Sequence, residues 1–356
     1  VNSATQITAN VTVAIGATTG SRNITITNSD SQQGVCSSCF TVNAAPSVSS
    51  IAATSSYQTA TNVSTTVNGS NFVNGAVVSF SGTGITVTTT TFVNASQLIA
   101  SVNISTSAAT GTRDVVVTNS DGGVGTGTNI FTVNNGPILY TTLDNLASVT
   151  SPARGTGTGA SVTTAPANDF LAAKIGSGIR VDAGSEYARL QETDGTTKNV
   201  NLSKGTVEFW LQPTYAHTDG SRHALFSLGT WASAGSITVM KDSGVNPLIV
   251  SVWNSSSTFL SQMTSVPSTN YSWSAGQWKK IRFNWDFTVA PGVRNSRIYI
   301  DDVEPTMGNM SSGTIPMTAE SASQYIYINA RGTADTPGNG TGNAIIDEFR
   351  VFDYPW

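Results

Sequence analysis

Over long stretches of this chain apolar residues recur at every second position with polar ones between them, the period of a half-buried β-strand. In residues 205–213, Val207, Phe209 and Leu211 alternate with Thr206, Glu208, Trp210 and Gln212. In 276–286, Lys279, Ile281, Phe283 and Trp285 alternate with Trp278, Lys280, Arg282 and Asn284. Val11 and Val13 oppose Asn10 and Thr12, while Ile24 and Ile26 point together, as do Val115 and Val117. The runs HALFSLG (223–229), RIYIDD (297–302), YIYINARG (325–332) and AIIDEFRVFD (344–353) read as further strands, and stretches such as TNSD supply turn chemistry. The pattern predicts an all-β chain of short strands and tight turns.

Two stretches align without a gap: Ser3–Pro46, with SATQITANVTV, TGSRNITITNSD and FTVNAAP, and Asn94–Pro137, with NASQLIASVNI, TGTRDVVVTNSD and FTVNNGP. Gly20 matches Gly111, Arg22 matches Arg113, Phe40 matches Phe131 and Pro46 matches Pro137, each 91 residues on. That period is too long for a solenoid and suits an immunoglobulin-like sandwich. The second copy reads as complete over residues 46–137. The first, residues 1–45, lacks a counterpart of Ser47–Thr91. Half a sandwich leaves an apolar face and a sheet edge open. Three explanations stand: a longer array, strands donated by a neighbouring subunit, or packing of the half-domain on copy two. All seven Trp residues follow Pro137, which predicts one large aromatic-cored domain over residues 138–356.

Composition agrees with strands and narrows the partners. Only 11% of the 356 residues are charged, against roughly 25% in an average soluble domain. Thr, Ser, Asn and Gly fill the difference, and helix-forming Lys, Glu and Leu are scarce. A net charge of −4 without a basic stripe argues against nucleic acid as a partner. No apolar run approaches the ~20 residues of a membrane span, so no membrane insertion is expected. Val1 opens inside strand-like sequence, so the chain reads as a mature product or a fragment. Cys36 and Cys39 sit in a turn reading ahead of the strand Phe40–Val42. A disulfide pinning a hairpin is the expectation, with free thiols, or redox or metal chemistry, as the alternatives.

TGTRDVVVTNSDG with FTV before a Pro linker resembles the IPT/TIG family of Ig-like domains found on bacterial surface proteins; the likeness covers roughly residues 1–137. The C-terminal segments resemble a laminin-G-like, concanavalin-A-type jelly roll: Leu143-Asp144, Gly184–Tyr187, Gly205–Pro213, Leu225–Gly229, Trp273–Asp286, Ile298–Asp302, Tyr327–Ala330 and Ile346–Phe352 follow that family's order. Two positions depart from it. Lys279-Lys280-Ile281-Arg282 replaces a histidine-containing run, and Asp302 stands where the family has a turn Gly. The resemblance implies one structural Ca²⁺ where the first and last strands meet, with Asp347 and Asp144 as ligands. It also implies a fold that hosts glycoside hydrolases elsewhere. Here the strand-borne acid signature is incomplete: Glu192-Thr193-Asp194 lacks a third acid, and no partner is recognisable for His217 or His223. No catalytic residue is expected. Trp231, Trp253, Tyr215 and Trp273, in loops or at strand ends, are the candidate ligand-binding aromatics; Trp210, Trp278 and Trp285 read as packing. Lys279, Lys280 and Arg282 read as a solvated strand face. Eleven Asn-x-Ser/Thr sequons occur, as an Asn-, Ser- and Thr-rich chain produces by chance.

The expectation is therefore a non-enzymatic extracellular protein of the cell surface or an appendage. In it an Ig-like stalk presents a lectin-like jelly roll to a glycan or a surface protein. The alternative is a structural subunit of an extracellular filament, sheath or virion fibre that self-associates through its sandwiches, with strands donated to the incomplete first domain.

Overall fold

Val, Thr and Ile dominate the strands because branched and hydroxyl side chains fit a pleated, half-buried surface. The computed structural model describes residues 1–14, 16–144, 161–163, 170–181, 187–191, 200–201, 203–229, 236–243, 248–253, 259–289, 296–306, 325–328 and 343–355. Apart from a single 3₁₀ turn at Ser268–Asn270, every named element among them is a strand. No helix among the described residues is long and apolar enough to cross a membrane. The chain divides into two units, Val1–Gly136 and Pro137–Trp356.

The first unit holds β1 (Gly20–Thr27), β2 (Gln33–Val42), β3 (Ser47–Ala52), β4 (Ser55–Tyr57), β5 (Val63–Ser70), β6 (Val77–Phe80), β7 (Ile85–Asn94), β8 (Gln97–Ile104), β9 (Gly111–Thr118) and β10 (Val124–Asn134). Strands β3-β5-β8-β7 and β4-β10-β9-β6 form two four-stranded sheets, and β1 and β2 pair by themselves. One core spans the two larger sheets, with Val67, Leu98, Ile104, Val115, Val117, Phe131 and Val133 buried in it. The alternation seen in the sequence is the reason: each of these side chains falls on the inward face of its strand.

Cys36 and Cys39 form a disulfide. The turn expected there is absent, because both residues lie inside β2. Arg22 pairs with Phe40 and Ile24 with Cys36, so Ser37, Ser38 and Cys39 bulge opposite Asn23. The Ser38 amide donates to Asn23 Oδ1 at 2.8 Å. The second copy has the same bulge, with Val115 opposite Gly127 and Arg113 opposite Phe131. There the Asn129 amide donates to Asp114 Oδ1 at 2.9 Å. The bulge belongs to the repeat, and in the first copy the disulfide closes it.

The second unit continues with β11 (Leu139–Thr141), β12 (Ser161–Thr163), β13 (Phe170–Ala172), β14 (Ser177–Val181), β15 (Tyr187–Gln191), β16 (Lys204–Pro213), β17 (His223–Leu228), β18 (Ile237–Lys241), β19 (Leu248–Trp253), β20 (Phe259–Val266), β21 (Lys279–Asp286), β22 (Ser296–Ile300), β23 (Tyr325–Ile328) and β24 (Ala344–Phe352). Two seven-stranded antiparallel sheets result. One runs β13-β14-β24-β16-β21-β22 with β11 also on β24; the other runs β12-β15-β23-β17-β18-β19-β20. Val207, Phe209 and Leu211 of β16 and Ile281, Phe283 and Trp285 of β21 are buried in one core with Phe226, Val239, Val250 and Ile328 of the second sheet. Phe349 of β24 lies 5.9 Å from Phe209 and 6.0 Å from Phe226, ring centre to ring centre. Of the three tryptophans read as packing, Trp285 is fully buried, with its Nε1 donating to the Asn201 carbonyl at 3.1 Å. Trp210 and Trp278 are half-buried, and Trp210 lies on the face of β16 turned away from Phe209.

Candidate functional site

The face of the first seven-stranded sheet that points away from its core carries a continuous polar row. Register sets it: Tyr299 of β22 pairs with Arg282 of β21, Arg282 with Glu208 of β16, Glu208 with Arg350 of β24, and Arg350 with Tyr140 of β11. Aromatic rings stand at both ends, and a buried carboxylate lies at the centre between two guanidinium groups. Glu208 is 1% exposed. Lys280 Nζ lies 3.1 Å from its Oε2, and Arg350 Nη1 lies 3.9 Å from its Oε1. The guanidinium of Arg282 sits 4.3 Å over the Tyr299 ring and that of Arg350 4.7 Å over the Tyr140 ring, both in cation–π range. Arg350 also pairs with Glu348, and the Tyr140 hydroxyl donates to Glu348 Oε2 at 2.7 Å. Burial, with the Glu348 carboxylate next, pushes the Tyr140 phenol up to about 12.

The solvated basic face expected at Lys279, Lys280 and Arg282 is therefore corrected. Arg282 is buried, Lys280 is paired with Glu208, and Lys279 donates to Asp301 Oδ2 at 2.8 Å. Asp301 and Asp302 make this possible. They form a two-residue hairpin turn closed by hydrogen bonds between Ile300 and Val303, and both adopt left-handed φ, 52° and 65°. That is the type I′ geometry, which Asp tolerates better than most residues. So turned, Asp302 reaches Lys280 at 3.4 Å and Arg282 at 3.3 Å.

A bulge in β24 adds acids to the same face. The register shifts between Glu208 and Trp210, with Glu348 at φ 55°, so that Asp347 falls opposite Trp210. Asp347 is fully buried. Its Oδ2 accepts the Ile175 amide at 2.7 Å, while Oδ1 is buried with no hydrogen-bond partner among the described residues. Burial, followed by the Glu348 and Asp144 charges, pushes this carboxyl up to about 7. Asp144 grips the same turn from the other side, its Oδ1 accepting the Ser177 amide at 2.8 Å. A Cβ on Gly176, at φ 67°, would lie 2.4 Å from that oxygen, so glycine is required there. Lys174, in the turn, places its Nζ 4.8 Å over the Trp210 ring.

The expected calcium pair, Asp347 and Asp144, thus converges on one turn. A buried carboxylate oxygen without a donor, next to a second carboxylate, fits the charged part of an oxygen-rich cation site. Among the described residues no three His, Cys, Asp or Glu side chains gather as a metal site, so the remaining oxygens would come from backbone or water. A raised carboxyl pKa means that the folded chain binds the proton more tightly than the unfolded one, whose value is ~3.9. The contribution of this group to stability is then greatest at low pH and falls as pH rises from about 4 through about 7. Without calcium, the C-terminal unit is expected to melt at a higher temperature at pH ~6 than at pH ~8, and Asp347→Asn should flatten that slope. A slope that persists in the variant would reassign it.

A second cluster lies at the loop end of the unit. Tyr215 stacks on His223 at 3.5 Å between ring centres and meets Trp273 edge-on at 6.3 Å. Tyr271 packs 5.0 Å from Trp273, and His217 lies 5.4 Å from Tyr271. His223 Nε2 lies 2.7 Å from Asp219 Oδ2, and the same carboxylate binds the fully buried Lys241. Burial raises the Tyr215 phenol well above its ordinary range, with the Asp219 charge next. Both histidines of the chain meet here, with partners that their positions in the sequence do not reveal. The only local signal is their shared polar loop, TYAHTDGSRH.

Of the four aromatics singled out from sequence, the structure brings Tyr215 and Trp273 together, as a buried pair. They are 7% and 2% exposed, so neither offers a ring face as a surface platform. The Tyr215 hydroxyl and Trp273 Nε1 are buried without hydrogen-bond partners among the described residues. Trp253 ends β19, with its side chain outside the described residues; Trp231 and Glu192–Asp194 lie outside them entirely. Sequence reasoning missed the outer-face row because its members sit on five strands far apart in the chain.

No family model matches the sequence, and no curated protein matches it. Several solved structures are similar in part. The receptor-binding domain of botulinum neurotoxin mosaic serotype C/D matches 62% of this chain at 10% identity and TM-score 0.39, over 48% of its own length. A botulinum neurotoxin type C structure, whose cell entry depends on interaction with two ganglioside molecules, matches 62% at 13% identity and TM-score 0.40, over 49% of its length. The NanB sialidase of Streptococcus pneumoniae matches 50% at 11% identity and TM-score 0.37, over 25% of its length. The chain thus spans about half the length of the neurotoxin domains and a quarter of the sialidase.

Proposed function

We propose that the C-terminal unit is the glycan-binding head of an extracellular, non-enzymatic adhesive protein, and that the N-terminal sandwich carries it. The observation behind this is the row Tyr299–Arg282–Glu208–Arg350–Tyr140 across the outer face of one sheet. Sugar hydroxyls are recognised by planar charged groups held in fixed orientation and by aromatic rings at their edge. Ion pairing within the row fixes the planar groups before any ligand arrives, which lowers the ordering cost of binding. Half-buried Trp210, Tyr140 and Tyr299 supply the aromatic margin. The low charge and the Ser-, Thr- and Asn-rich surface suit an exposed, extracellular setting. Glu208 and Glu348 are committed to Arg350 and Lys280, which supports binding over glycosidic cleavage.

A glycan array probed with the purified chain tests the reading. The wild type should bind a defined set of glycans, and Trp210→Ala should weaken that binding by ~30-fold, the effect of a central aromatic anchor. Silence of the wild type across a broad array overturns glycan recognition, and release of reducing sugar from a bound glycan overturns the non-enzymatic assignment. Calcium, in this reading, is held by Asp347 and Asp144, where it would keep Asp347 ionised and tie the Ala173–Ser177 turn to β24. Adding Ca²⁺ at pH ~8 should raise the melting temperature and abolish its dependence on pH. A melting temperature indifferent to both calcium and chelator removes the metal from the scheme.

A further inference from the structure

Both cysteines of the chain lie in a stretch that the second copy repeats without them. In the 91-residue register Cys36 corresponds to Gly127 and Cys39 to Ile130. The bulge is otherwise alike in the two copies. Ser38 and its counterpart Asn129 adopt left-handed φ, 56° and 55°. Their amides donate to Asn23 Oδ1 at 2.8 Å and to Asp114 Oδ1 at 2.9 Å. The second copy closes the bulge by contact alone: the Ile130 side chain lies over Gly127, where a Cβ would come within 2.5 Å of its Cδ1. A bulge of this geometry therefore forms without a covalent bond. The bond in the first copy encloses only Ser37 and Ser38, and a loop that short gains the least from cross-linking. Cys36, Ser37, Ser38 and Cys39 are all exposed, and exposed disulfides are the labile ones.

We propose that the Cys36–Cys39 disulfide is a thiol-exchange site, through which the N-terminal unit is joined covalently and reversibly to a thiol, either a small molecule or an exposed cysteine of another protein. The incoming thiolate attacks Cys39 Sγ. Its electron pair forms the new S–S bond as the Cys36–Cys39 bond breaks, and Cys36 leaves as the thiolate and takes up a proton. The direction follows from one contact: Cys39 Sγ lies 3.2 Å from the Cys36 carbonyl oxygen. Negative charge on Cys39 would face that oxygen, so Cys36 is the sulfur better suited to leave. The strand keeps the released thiol within reach, since the two Cα atoms are 5.8 Å apart. Cys36 can then expel the partner and restore the disulfide. Neither step disturbs the bulge, which the Ser38 amide and Asn23 hold independently of the sulfurs.

The experiment exposes the full chain to reduced glutathione, quenches with acid and locates the adduct by peptide mass. The native chain should form it at a rate within ~10-fold of the urea-unfolded chain, where access is complete. Slower exchange means that the fold shields the bond, and overturns the proposal. At the earliest times the adduct should sit on Cys39; an adduct mainly on Cys36 overturns the direction of attack. A folded protein carrying one exposed cysteine is the second probe. Capture of both probes assigns protein thiols along with small ones, and capture of glutathione alone restricts the site to small thiols. The double variant Cys36→Ser, Cys39→Ser separates exchange from a structural role. Hydrogen exchange at its Ser38 amide should stay within ~3-fold of the wild type. Loss of that protection would show that the bond holds the bulge, and the exchange role would fall.

Discussion

Asp219→Ala is expected to destabilise the C-terminal unit by about 3–5 kcal/mol, the cost of leaving a buried charge without its partner. Lys241 has no exposed surface, and its ammonium reaches the Asp219 carboxylate and the Ser221 carbonyl, the latter at 2.7 Å. His223, also buried, points its Nε2 at the same carboxylate. Burial alone would raise the Asp219 carboxyl; hydrogen bonds from Lys241 and His223 outweigh it and hold the group below its ordinary value. A depressed carboxyl contributes stability that is present above the unfolded pKa of ~3.9 and lost as pH falls through the folded one. The loss in Asp219→Ala should therefore be largest near neutral pH and shrink in acid. Urea unfolding at the two pH values measures it, and a melting shift on the order of 10 °C should accompany it. Pairing the change with Lys241→Met should recover much of the loss, since an apolar side chain of similar volume needs no counter-charge. A loss under ~1 kcal/mol for the single variant would mean that the ammonium is satisfied without Asp219.

Glu208→Ala is the second large effect, about 3 kcal/mol or more. Its carboxylate, 1% exposed, is the acid shared by Lys280 and Arg350 and lies next to Arg282 in the cross-strand pairing. Without it three cations, Lys280 and Arg282 of β21 and Arg350 of β24, are left flanking one position of β16 with no carboxylate between them. Their mutual repulsion should be screened in ~1 M salt, where the Debye length is ~3 Å, so the penalty should shrink there. The desolvation of Arg282 is not screened and should remain. A penalty below ~1 kcal/mol at low salt would show that Asp302 and Glu348 suffice for these cations.

The strands were legible because burial alternates with period two. Val207, Phe209 and Leu211 announced the inner face of β16, and the matched pairs Ile24/Val115 and Phe40/Phe131 announced the repeat. What that pattern cannot show is which distant strand lies alongside. Glu208 looked solitary because Arg282 and Arg350 come from strands beginning at Lys279 and Ala344. Lys279, Lys280 and Arg282 looked solvated for the same reason. The Cys36–Cys39 spacing fitted a turn, whereas a bulge places both cysteines inside one strand, and bulges leave no periodic trace. Asp347 could be placed near Asp144 only through family resemblance, since their proximity depends on the β24 bulge and on the turn at Gly176.

The position of β24 has a consequence for how the molecule is made. It comes after every other named strand in the chain, yet it sits inside its sheet, bonded to β14 and β11 along one edge and to β16 along the other. Among the described residues the strands on its two sides are joined in the sheet only through it, and its Phe349 is the ring that packs against both Phe209 and Phe226. The sandwich cannot close progressively during synthesis. Closure waits for β24, and until then β16, β21 and β22 can pair only among themselves while β13 and β14 pair apart from them.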